Sequence, residues 1–269
     1  MPMDRSFRTK KSLGQYFLVN PQVARKVVDA AHVDQGDVVL EIGCGPGALT
    51  ELLLARADRV IGVEIDRRLG AVLKARFASR PGFLLLEQDI LEVDIRQVAQ
   101  SLGGSSLVVV GTIPYHLTSP ILFKLLDHHS VLDRAVLTTQ REVAERLVAK
   151  PGPNYSLLAL AVQLKTVPRV VGHIGADAFQ PRPKVESSIV RLDFAARTGV
   201  LGDAQRGVLR LARAGFAQRR KMLRNSLLNV PLSKSALAGM SGDTGIELSR
   251  RAETLSLEEW VSLAHAAGL

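Results

Sequence analysis

Short apolar runs alternate with helical patterns along the first two thirds of the chain. The runs are rich in valine, isoleucine and leucine, and several end in glycine or an acidic residue. Such runs are typical of strands buried on both faces of a parallel sheet, with helices covering those faces. Strands are predicted at residues 38–42, 59–66, 83–87, 107–111, 135–140, 165–171 and 189–194. The pattern therefore predicts the α/β fold class, built on an open sheet.

A glycine-rich loop follows the first of these strands. Gly43, Gly45 and Gly47 come directly after the apolar run and precede a helical pattern. Strand, glycine loop and helix open a nucleotide-binding α/β unit, because glycine lets the backbone turn tightly and approach a ligand. The spacing is G-x-G-x-G rather than the dinucleotide pattern G-x-G-x-x-G. Glu41 precedes the loop, and a carboxylate there suits a cationic ligand better than a pyrophosphate.

Acidic residues mark the ends of the next two predicted strands. Glu64 lies 23 positions after Glu41, close to the spacing of roughly 20 at which a carboxylate binds a ribose diol. Asp89 ends the third strand at the same expected edge of the sheet. Three carboxylates at three successive strand ends resemble the site of S-adenosylmethionine-dependent methyltransferases. That resemblance implies that Glu64 holds the ribose hydroxyls and Asp89 faces the adenine amino group. A Rossmann-type fold for another nucleotide is the alternative.

Basic residues outnumber acidic ones and concentrate in two stretches. The formal net charge is +9 and the sequence pI is near 10.0. Residues 1–11 carry four basic residues against one acidic residue, and residues 206–224 carry seven basic residues and no acid. A helix over the second stretch, unless Gly215 breaks it, would present arginines on one face and apolar residues on the other. This favours phosphate contact. A membrane-surface helix is the alternative, but it lacks interfacial aromatic residues.

The single cysteine and the hydropathy of the chain indicate the cellular compartment to expect. Cys44 excludes an internal disulfide, is compatible with a reducing compartment, and suits a small loop residue better than a nucleophile. The six histidines show no metal-ligand spacing, so no metal is expected. No apolar run approaches the length that spans a bilayer, and no signal-peptide core is present. We therefore expect a cytoplasmic protein with no membrane partner.

The N-terminal stretch from Lys10 to Leu18 carries the first family signal. Its sequence K-K-S-L-G-Q-Y-F-L resembles the K-x-x-x-G-Q-x-F-L segment of the KsgA-type rRNA adenine dimethyltransferases. In that family the segment leads into the first helix and closes over the cofactor. The resemblance implies cofactor contacts at Tyr16 and Leu18. Asn20 and Pro21 then predict a helix start, as an N-cap followed by proline at the first helical position.

The fourth strand ends in Thr112-Ile113-Pro114-Tyr115, which resembles the N-L-P-Y or N-P-P-Y motif of amino-methyltransferases. An adenine amino nitrogen is a poor nucleophile because its lone pair is delocalised into the ring. Two acceptors on its hydrogens favour the attacking geometry, and an aromatic ring stacks on the extruded base. Thr112 departs from the family, since it offers one hydroxyl in place of an amide carbonyl. It either accepts one hydrogen bond or leaves the site weakly active.

Two further stretches resemble the family. F-x-P-x-P-K-V-x-S begins at Phe179, which the resemblance makes the second wall around the base, while Arg182 and Lys184 can meet phosphates. Residues 216–227 resemble the helix F-x-Q-R-R-K-x-L-R-N-S-L. The resemblance covers the chain from about Lys10 to the C-terminus.

Together these motifs imply a Rossmann-like S-adenosylmethionine-dependent methyltransferase sheet over residues 1–195, with seven strands of which the last is antiparallel. A small C-terminal α-helical domain over residues 196–269 would bind RNA or the ribosome. The implied reaction is dimethylation of N6 on two adjacent adenines near the 3′ end of 16S rRNA in the 30S particle, by a monomer that also serves subunit biogenesis. A catalytically weak assembly factor and a 23S rRNA methyltransferase are the alternatives.

The resemblance also assigns individual residues. The catalytic positions are Thr112, Ile113, Pro114, Tyr115 and Phe179. The S-adenosylmethionine positions are Gln15, Tyr16, Leu18, Gly43, Gly45, Glu64, Ile65, Asp89, Ile90 and Thr112. The RNA positions are Arg182, Lys184, Arg219, Arg220, Lys221 and Arg224.

Overall fold

The chain divides into two compact units in a computed structural model that describes residues 9–10, 13–104, 106–194, 204–232 and 234–269. The first unit is formed by Met1–Ala144 and Pro168–Ala196, and the second by Glu145–Val167 and Arg197–Leu269. The second unit thus adds a segment from the middle of the chain to its C-terminal residues. The domain boundary at residue 195 stays a prediction.

Nine strands and eleven α-helices are found in these described ranges. The strands are β1 (Phe17–Leu18), β2 (Val38–Ile42), β3 (Arg59–Val63), β4 (Phe83–Leu86), β5 (Leu107–Thr112), β6 (Leu132–Gln140), β7 (Val167–Ile174), β8 (Phe179–Gln180) and β9 (Ser187–Asp193). The helices are α1 (Pro21–Ala31), α2 (Ala48–Leu53), α3 (Arg67–Arg76), α4 (Ile95–Ser101), α5 (Thr118–Asp127), α6 (Arg141–Leu147), α7 (Leu157–Lys165), α8 (Ala204–Ala217), α9 (Leu223–Ser226), α10 (Lys234–Thr244) and α11 (Leu257–Ala266). Within the described residues, no helix is both long and apolar enough to cross a membrane.

A seven-stranded sheet organises the first unit, in the order β4-β3-β2-β5-β6-β9-β7. The strands from β4 to β6 pair in parallel, whereas β9 pairs antiparallel with β6. Strand order reverses beside β2, and ligands bind such sheets at the carboxyl ends of the strands near this reversal. The predicted α/β Rossmann-like fold class is confirmed. β1 and β8 form a separate two-stranded pair.

Buried valines explain why the central strands form. Val39 of β2, Val108 of β5 and Val136 of β6 are fully buried and share one cluster with Val27 of α1 and Leu53 of α2. Burying each such side chain contributes roughly 1.5–3 kcal/mol. The cluster packs α1 and α2 against the central strands of the sheet.

Helix starts follow the predicted chemistry at α1 and differ at α5. The Asn20 side-chain oxygen accepts hydrogen bonds from the backbone amides of Gln22 (2.9 Å) and Val23 (3.2 Å), with Pro21 in the first turn. Ser119 and Pro120 are residue types that suit an N-cap and a first helical position, but α5 begins two residues before Pro120, at Thr118. A 3₁₀ turn over Tyr115–Leu117 leads directly into α5, so this helix needs no side-chain cap.

The second unit packs helices around Trp260, which is fully buried together with Tyr155. Gly215 does not break α8. A Cβ atom at Gly215 would lie 2.8 Å from the Trp260 ring, so the glycine permits close packing. α8 ends at Ala217, however, and α9 begins only at Leu223. The predicted single basic helix over 206–224 is therefore wrong, because residues 218–221 form a turn between two helices.

Candidate active site

A cavity of about 270 Å³ opens at the carboxyl ends of β2 to β5 in the first unit. Every residue predicted to be catalytic or to contact the cofactor lines it. These residues are Gln15, Tyr16, Leu18, Gly43, Gly45, Glu64, Ile65, Asp89, Ile90, Thr112, Ile113, Pro114, Tyr115 and Phe179. The structure therefore brings the predicted positions together, while the role of each stays a prediction.

The glycine loop owes its path to left-handed backbone angles. Gly43, Gly45 and Gly47 have φ values of +71°, +55° and +91°, which side chains with a Cβ rarely adopt. A Cβ atom at Gly43 would lie 3.3 Å from the Thr112 carbonyl oxygen, and one at Gly47 would lie 2.8 Å from the Phe77 ring. Gly43 and Gly45 thus add no side chains to the cavity, and close neighbours leave little room for a Cβ atom at Gly43 or Gly47.

Glu64 is the best-fixed carboxylate of the cavity. One oxygen accepts a hydrogen bond from the Gly45 backbone amide, and the other accepts one from the Asp66 backbone amide, both at 2.9 Å. The residue is 5% exposed. Burial raises the pKa of Glu64, and the two amide hydrogen bonds oppose that rise. Each oxygen keeps a second lone pair, so the carboxylate can still accept two hydroxyl groups from a ligand in the cavity.

Glu41 and Cys44 flank the start of the loop, and of the two only Cys44 is among the residues that line the cavity. Glu41 accepts a 2.6 Å hydrogen bond from the Thr50 hydroxyl, and the cavity wall begins one residue later at Ile42. The expectation that Glu41 meets a cationic ligand is therefore wrong. Burial raises the pKa of Glu41 to about 7. Burial also raises the pKa of the Cys44 thiol, which contacts backbone carbonyls. Both observations agree with an unreactive loop cysteine.

Asp89 and two isoleucines form the next part of the wall. One Asp89 oxygen accepts the Leu91 backbone amide at 2.9 Å, which fixes the carboxylate at the end of β4. Ile65 is exposed and Ile90 is buried, and both line the cavity. Two apolar side chains near a fixed carboxylate suit a flat ring that carries a hydrogen-bond donor on its edge.

Thr112 ends β5 with an unsatisfied hydroxyl. Its Oγ1 atom is buried and has no hydrogen-bond partner among the described residues. A buried hydroxyl without a partner costs roughly 1–3 kcal/mol, so its presence calls for an explanation. Ile113 follows it and is 2% exposed. Thr112 as a residue lines the cavity.

Tyr115 is held at both its hydroxyl and its ring face. Its hydroxyl lies 2.6 Å from Ser187 Oγ, and its ring stacks on Tyr16 with centroids 5.4 Å apart. Burial raises the pKa of Tyr115. Phe179 is 4% exposed and lines the same cavity, and its backbone pairs with Leu18. The ring positions are therefore set by contacts inside the unit.

Some cavity residues were missed from the sequence. Gln88 precedes Asp89, and its place at a strand end was the available signal. His116 follows Tyr115, is exposed, and lies so close to Gly14 that a Cβ there would be 2.8 Å from its ring. Sequence spacing gave no sign of this long-range contact.

The predicted RNA positions lie on the surfaces of the two units. Arg182 and Lys184 are exposed in the loop after β8 of the first unit. In the second unit Arg220, Lys221 and Arg224 are exposed, whereas Arg219 donates hydrogen bonds to the Pro153 carbonyl and to Glu253, both at 2.8 Å. Part of the Arg219 charge is thus neutralised within the protein. These RNA contacts stay predictions.

The side chains and backbone that line the cavity indicate the class of ligand that it can take. In the described ranges, no group of three or more His, Cys, Asp or Glu side chains could hold a metal ion. Two glycines that add no side chains, a carboxylate with lone pairs left for two hydroxyls and an apolar wall beside Asp89 match the parts of an adenosine-containing ligand.

Comparison with known proteins gives consistent matches over nearly the whole chain. Residues 6–267 match the ribosomal RNA adenine dimethylase family. The chain is 42% identical over 276 residues to ribosomal RNA small subunit methyltransferase A of Anaeromyxobacter dehalogenans, covering 99% of this chain and 96% of the relative. It is 40% identical over 259 residues to the protein of the same name from Acidobacterium capsulatum, covering 96% and 91%.

Solved structures agree. A dimethyladenosine transferase from Plasmodium falciparum superposes with a TM-score of 0.77 at 28% identity, covering 91% of this chain and 94% of that one. The 23S rRNA methyltransferase ErmE superposes with a TM-score of 0.73 at 24% identity, covering 94% and 100%. The likeness to ErmE shows a shared fold only.

Proposed function

Because the chain belongs to the ribosomal RNA adenine dimethylase family, we propose that it dimethylates N6 of two adjacent adenines near the 3′ end of 16S rRNA. The methyl donor is S-adenosylmethionine and the substrate is the 30S particle. Relatives with the small-subunit name are 35–42% identical to the chain, which favours this substrate over 23S rRNA. The enzyme acts as a monomer in the cytoplasm and contributes to small-subunit biogenesis.

One observation carries the proposal, namely that two kinds of binding surface share one cavity. The glycine loop, Glu64 and Asp89 form a surface suited to a nucleoside, and Thr112 with Tyr115 forms a surface suited to an amino group on an aromatic ring. The two meet where Gly43 approaches the Thr112 carbonyl. A donor and an acceptor bound side by side react as if at very high local concentration.

The residues of the first surface hold the cofactor, whose sulfonium supplies an activated methyl group. Glu64 accepts the two ribose hydroxyls through its remaining lone pairs. Asp89 accepts a hydrogen bond from the adenine amino group. Ile65 and Ile90 contact the faces of the adenine ring. Because Gly43 and Gly45 have no Cβ atom, the cofactor can approach the backbone of the loop closely.

The residues of the second surface orient the target adenine. The base leaves its RNA stack, which costs a few kcal/mol. Stacking of the base on Tyr115, with Phe179 as the other wall, compensates for this cost. The Thr112 hydroxyl and the Ile113 backbone carbonyl accept hydrogen bonds from the amino group. These bonds draw the nitrogen lone pair out of conjugation, and the departing proton passes to water.

Basic residues outside the cavity hold the RNA backbone. Arg182 and Lys184 contact phosphates near the cavity mouth, and Arg219, Arg220, Lys221 and Arg224 contact phosphates from the C-terminal helical domain at 196–269. Replacing Arg219, Arg220 and Lys221 by alanine should weaken 30S binding. It should also flatten the salt dependence by roughly 0.7–0.9 per lost phosphate contact. An unchanged salt slope would remove this turn from the interface.

A second candidate function is that of a catalytically weak assembly factor that binds pre-30S particles. The observation in its favour is Thr112, whose hydroxyl presents one acceptor where the related motif carries an amide. Under this alternative the protein binds 30S particles with the same affinity but transfers methyl groups slowly.

The test is methyl transfer to 30S particles from cells that lack adenine dimethylation. Mass spectrometry of the digested rRNA should find dimethyladenosine at two adjacent adenines, and 50S particles should stay unmodified. Binding without methylation would support the assembly factor, and modified 23S rRNA would overturn the small-subunit assignment.

A further inference from the structure

The Asp66 carboxylate is sealed from solvent although it lies two residues after the cavity residue Glu64. Its side chain is 0% exposed. Donors reach it from two separate parts of the chain. Arg68 follows it on α3, whereas Lys10 and Gln15 come from the N-terminal segment that precedes β1.

The contacts from the N-terminal segment are specific. Gln15 Nε2 donates to Asp66 Oδ2 at 3.1 Å, and Lys10 Nζ lies 3.3 Å from Asp66 Oδ1. The Lys10 backbone amide donates to Gln15 Oε1 at 2.8 Å. Both ends of the Gln15 amide therefore have protein partners, which fixes its orientation. The Gln15 side-chain amide therefore holds the N-terminal segment in place and also forms part of the cavity wall.

A helix cap alone does not account for these contacts. Asp66 caps α3 by accepting the Arg68 backbone amide at 3.2 Å, a task that asparagine performs equally well. The pKa of Asp66 lies below its usual range mainly because Arg68 donates hydrogen bonds to it, with Gln15 and Lys10 adding to the effect. The carboxylate thus stays ionised at neutral pH and attracts the segment electrostatically.

The fastened segment forms one wall of the cavity. Leu13, Gly14, Gln15, Tyr16, Phe17 and Leu18 all line it. Tyr16 stacks on Tyr115 and Leu18 pairs with Phe179, so these contacts attach the segment to the side of the cavity proposed for the base. Asp66 attaches it to the end of β3, beside Glu64, where the cofactor is proposed to bind.

We propose that Asp66 is a positioning residue that latches the segment 13–18 over the cofactor side of the cavity and thereby slows cofactor release. The inference rests on the proposed S-adenosylmethionine site. Asp66 touches no reacting atom and acts through Gln15 and Lys10.

An exchange of the two partners tests the latch. Gln15→Glu places a carboxylate against Asp66 and should release the segment, while Asp66→Asn removes the charge but keeps the helix cap. The double variant Gln15→Glu with Asp66→Asn reverses the polarity of the hydrogen bond, because the introduced asparagine amide can donate to the new carboxylate. Arg68→Met is the matched control, since it removes a partner of Asp66 that lies on α3 and not among residues 13–18.

Two measurements separate the latch from a general loss of structure. Amide hydrogen exchange over residues 13–18, measured without ligand, should quicken in the Gln15→Glu protein and return toward the wild-type rate in the double variant. The dissociation rate of S-adenosylhomocysteine should rise about 10-fold in Gln15→Glu, as expected for the loss of one charge-assisted hydrogen bond. It should fall back in the double variant and change little in Arg68→Met.

The outcomes are distinct. A double variant that releases the ligand as fast as Gln15→Glu, or segment exchange that no variant alters, overturns the latch. A wild-type protein that does not bind S-adenosylhomocysteine overturns the cofactor assignment and with it the proposed effect on release.

Discussion

The cofactor side and the base side of the cavity are built in different ways. On the cofactor side, Glu64 is held by two backbone amides at 2.9 Å. On the base side, Tyr115 is held by the Ser187 side chain and Tyr16, and the Thr112 hydroxyl has no partner among the described residues. Backbone contacts survive most substitutions, whereas side-chain contacts change with single residues. The geometry of the first side is therefore preserved in most variants, whereas the second side can change the rate or specificity through one residue.

The largest effect is expected from Glu64→Ala. The change removes the acceptor for the ribose hydroxyls and leaves the amides of Gly45 and Asp66 unpaired. Calorimetry should show a loss of S-adenosylmethionine affinity on the order of 100-fold or more. The Glu41→Gln protein is the control, because Glu41 lies under the same loop but outside the cavity wall. Unchanged affinity in Glu64→Ala would remove Glu64 from the site.

The next effect concerns stability and comes from Glu41. Burial raises its pKa from 4.5 to about 7, so the folded protein keeps a proton that the unfolded chain has lost. Stability therefore falls as the pH rises through this window, and the whole cost is present above it. Glu41→Gln removes the titration and should be more stable than wild type above pH 7 by at most about 3 kcal/mol. Urea unfolding at several pH values measures the difference, and parallel curves for the two proteins would refute it.

A third change tests the base side through Thr112. Thr112→Asn supplies a planar carbonyl for the adenine amino group, and should raise the single-turnover methylation rate by about 10-fold or more. The second methylation should respond more, since the monomethylated amine has one hydrogen left to orient. Cofactor affinity should change less than the rate, because Gly43, Glu64 and Asp89 carry most of it.

Thr112→Val is the matched control for that experiment. It keeps the shape of threonine but removes the unsatisfied hydroxyl, so it should slow methylation while stabilising the fold by about 1 kcal/mol or more. If wild type already dimethylates as fast as Thr112→Asn, the departure at this position is neutral and the assembly-factor alternative loses its main support.

The difference between the two sides also explains what the sequence could predict. Apolar periodicity and glycine spacing are local signals, so the α/β sheet, the glycine loop and the strand-end acids Glu64 and Asp89 were accessible. Whether a side chain faces the cavity or the protein interior, by contrast, depends on residues that are distant in sequence. Glu41 precedes the glycine loop as a binding acid would, yet it turns toward Thr50. The contact of His116 with Gly14 and the bond from Gln15 to Asp66 join residues far apart in sequence, and periodicity carries no such information.

The same reasoning covers the basic stretch of residues 206–224. Helical periodicity predicted one continuous arginine face, but α8 ends at Ala217 and a turn follows it. The Lys221 backbone amide donates to the Gln218 carbonyl at 2.8 Å, which closes the turn. Packing of Leu223 and Leu227 into the core of the second unit sets where α9 lies, and that depends on residues distant in sequence.

The smallest effect is expected at the hydrogen bond between Tyr115 and Ser187. Tyr115→Phe keeps the ring and its stacking on Tyr16 but removes the 2.6 Å contact. Since stacking is proposed to hold the base, the methylation rate should fall by only about 2- to 5-fold, equivalent to the roughly 0.5–1 kcal/mol of one neutral hydrogen bond. Tyr115→Ala, which removes the ring as well, should reduce the rate far more.

Ser187→Ala completes a double-mutant cycle on this contact. Ser187 is fully buried, so Tyr115→Phe leaves its hydroxyl without the tyrosine partner, and Ser187→Ala does the same to Tyr115. The double variant removes both polar groups, and its loss of stability and rate should therefore be smaller than the sum of the two single losses. Losses that add independently would mean that the two hydroxyls are not coupled. The base side would then hold Tyr115 by ring contacts alone, which would make the contrast with the backbone-held Glu64 greater.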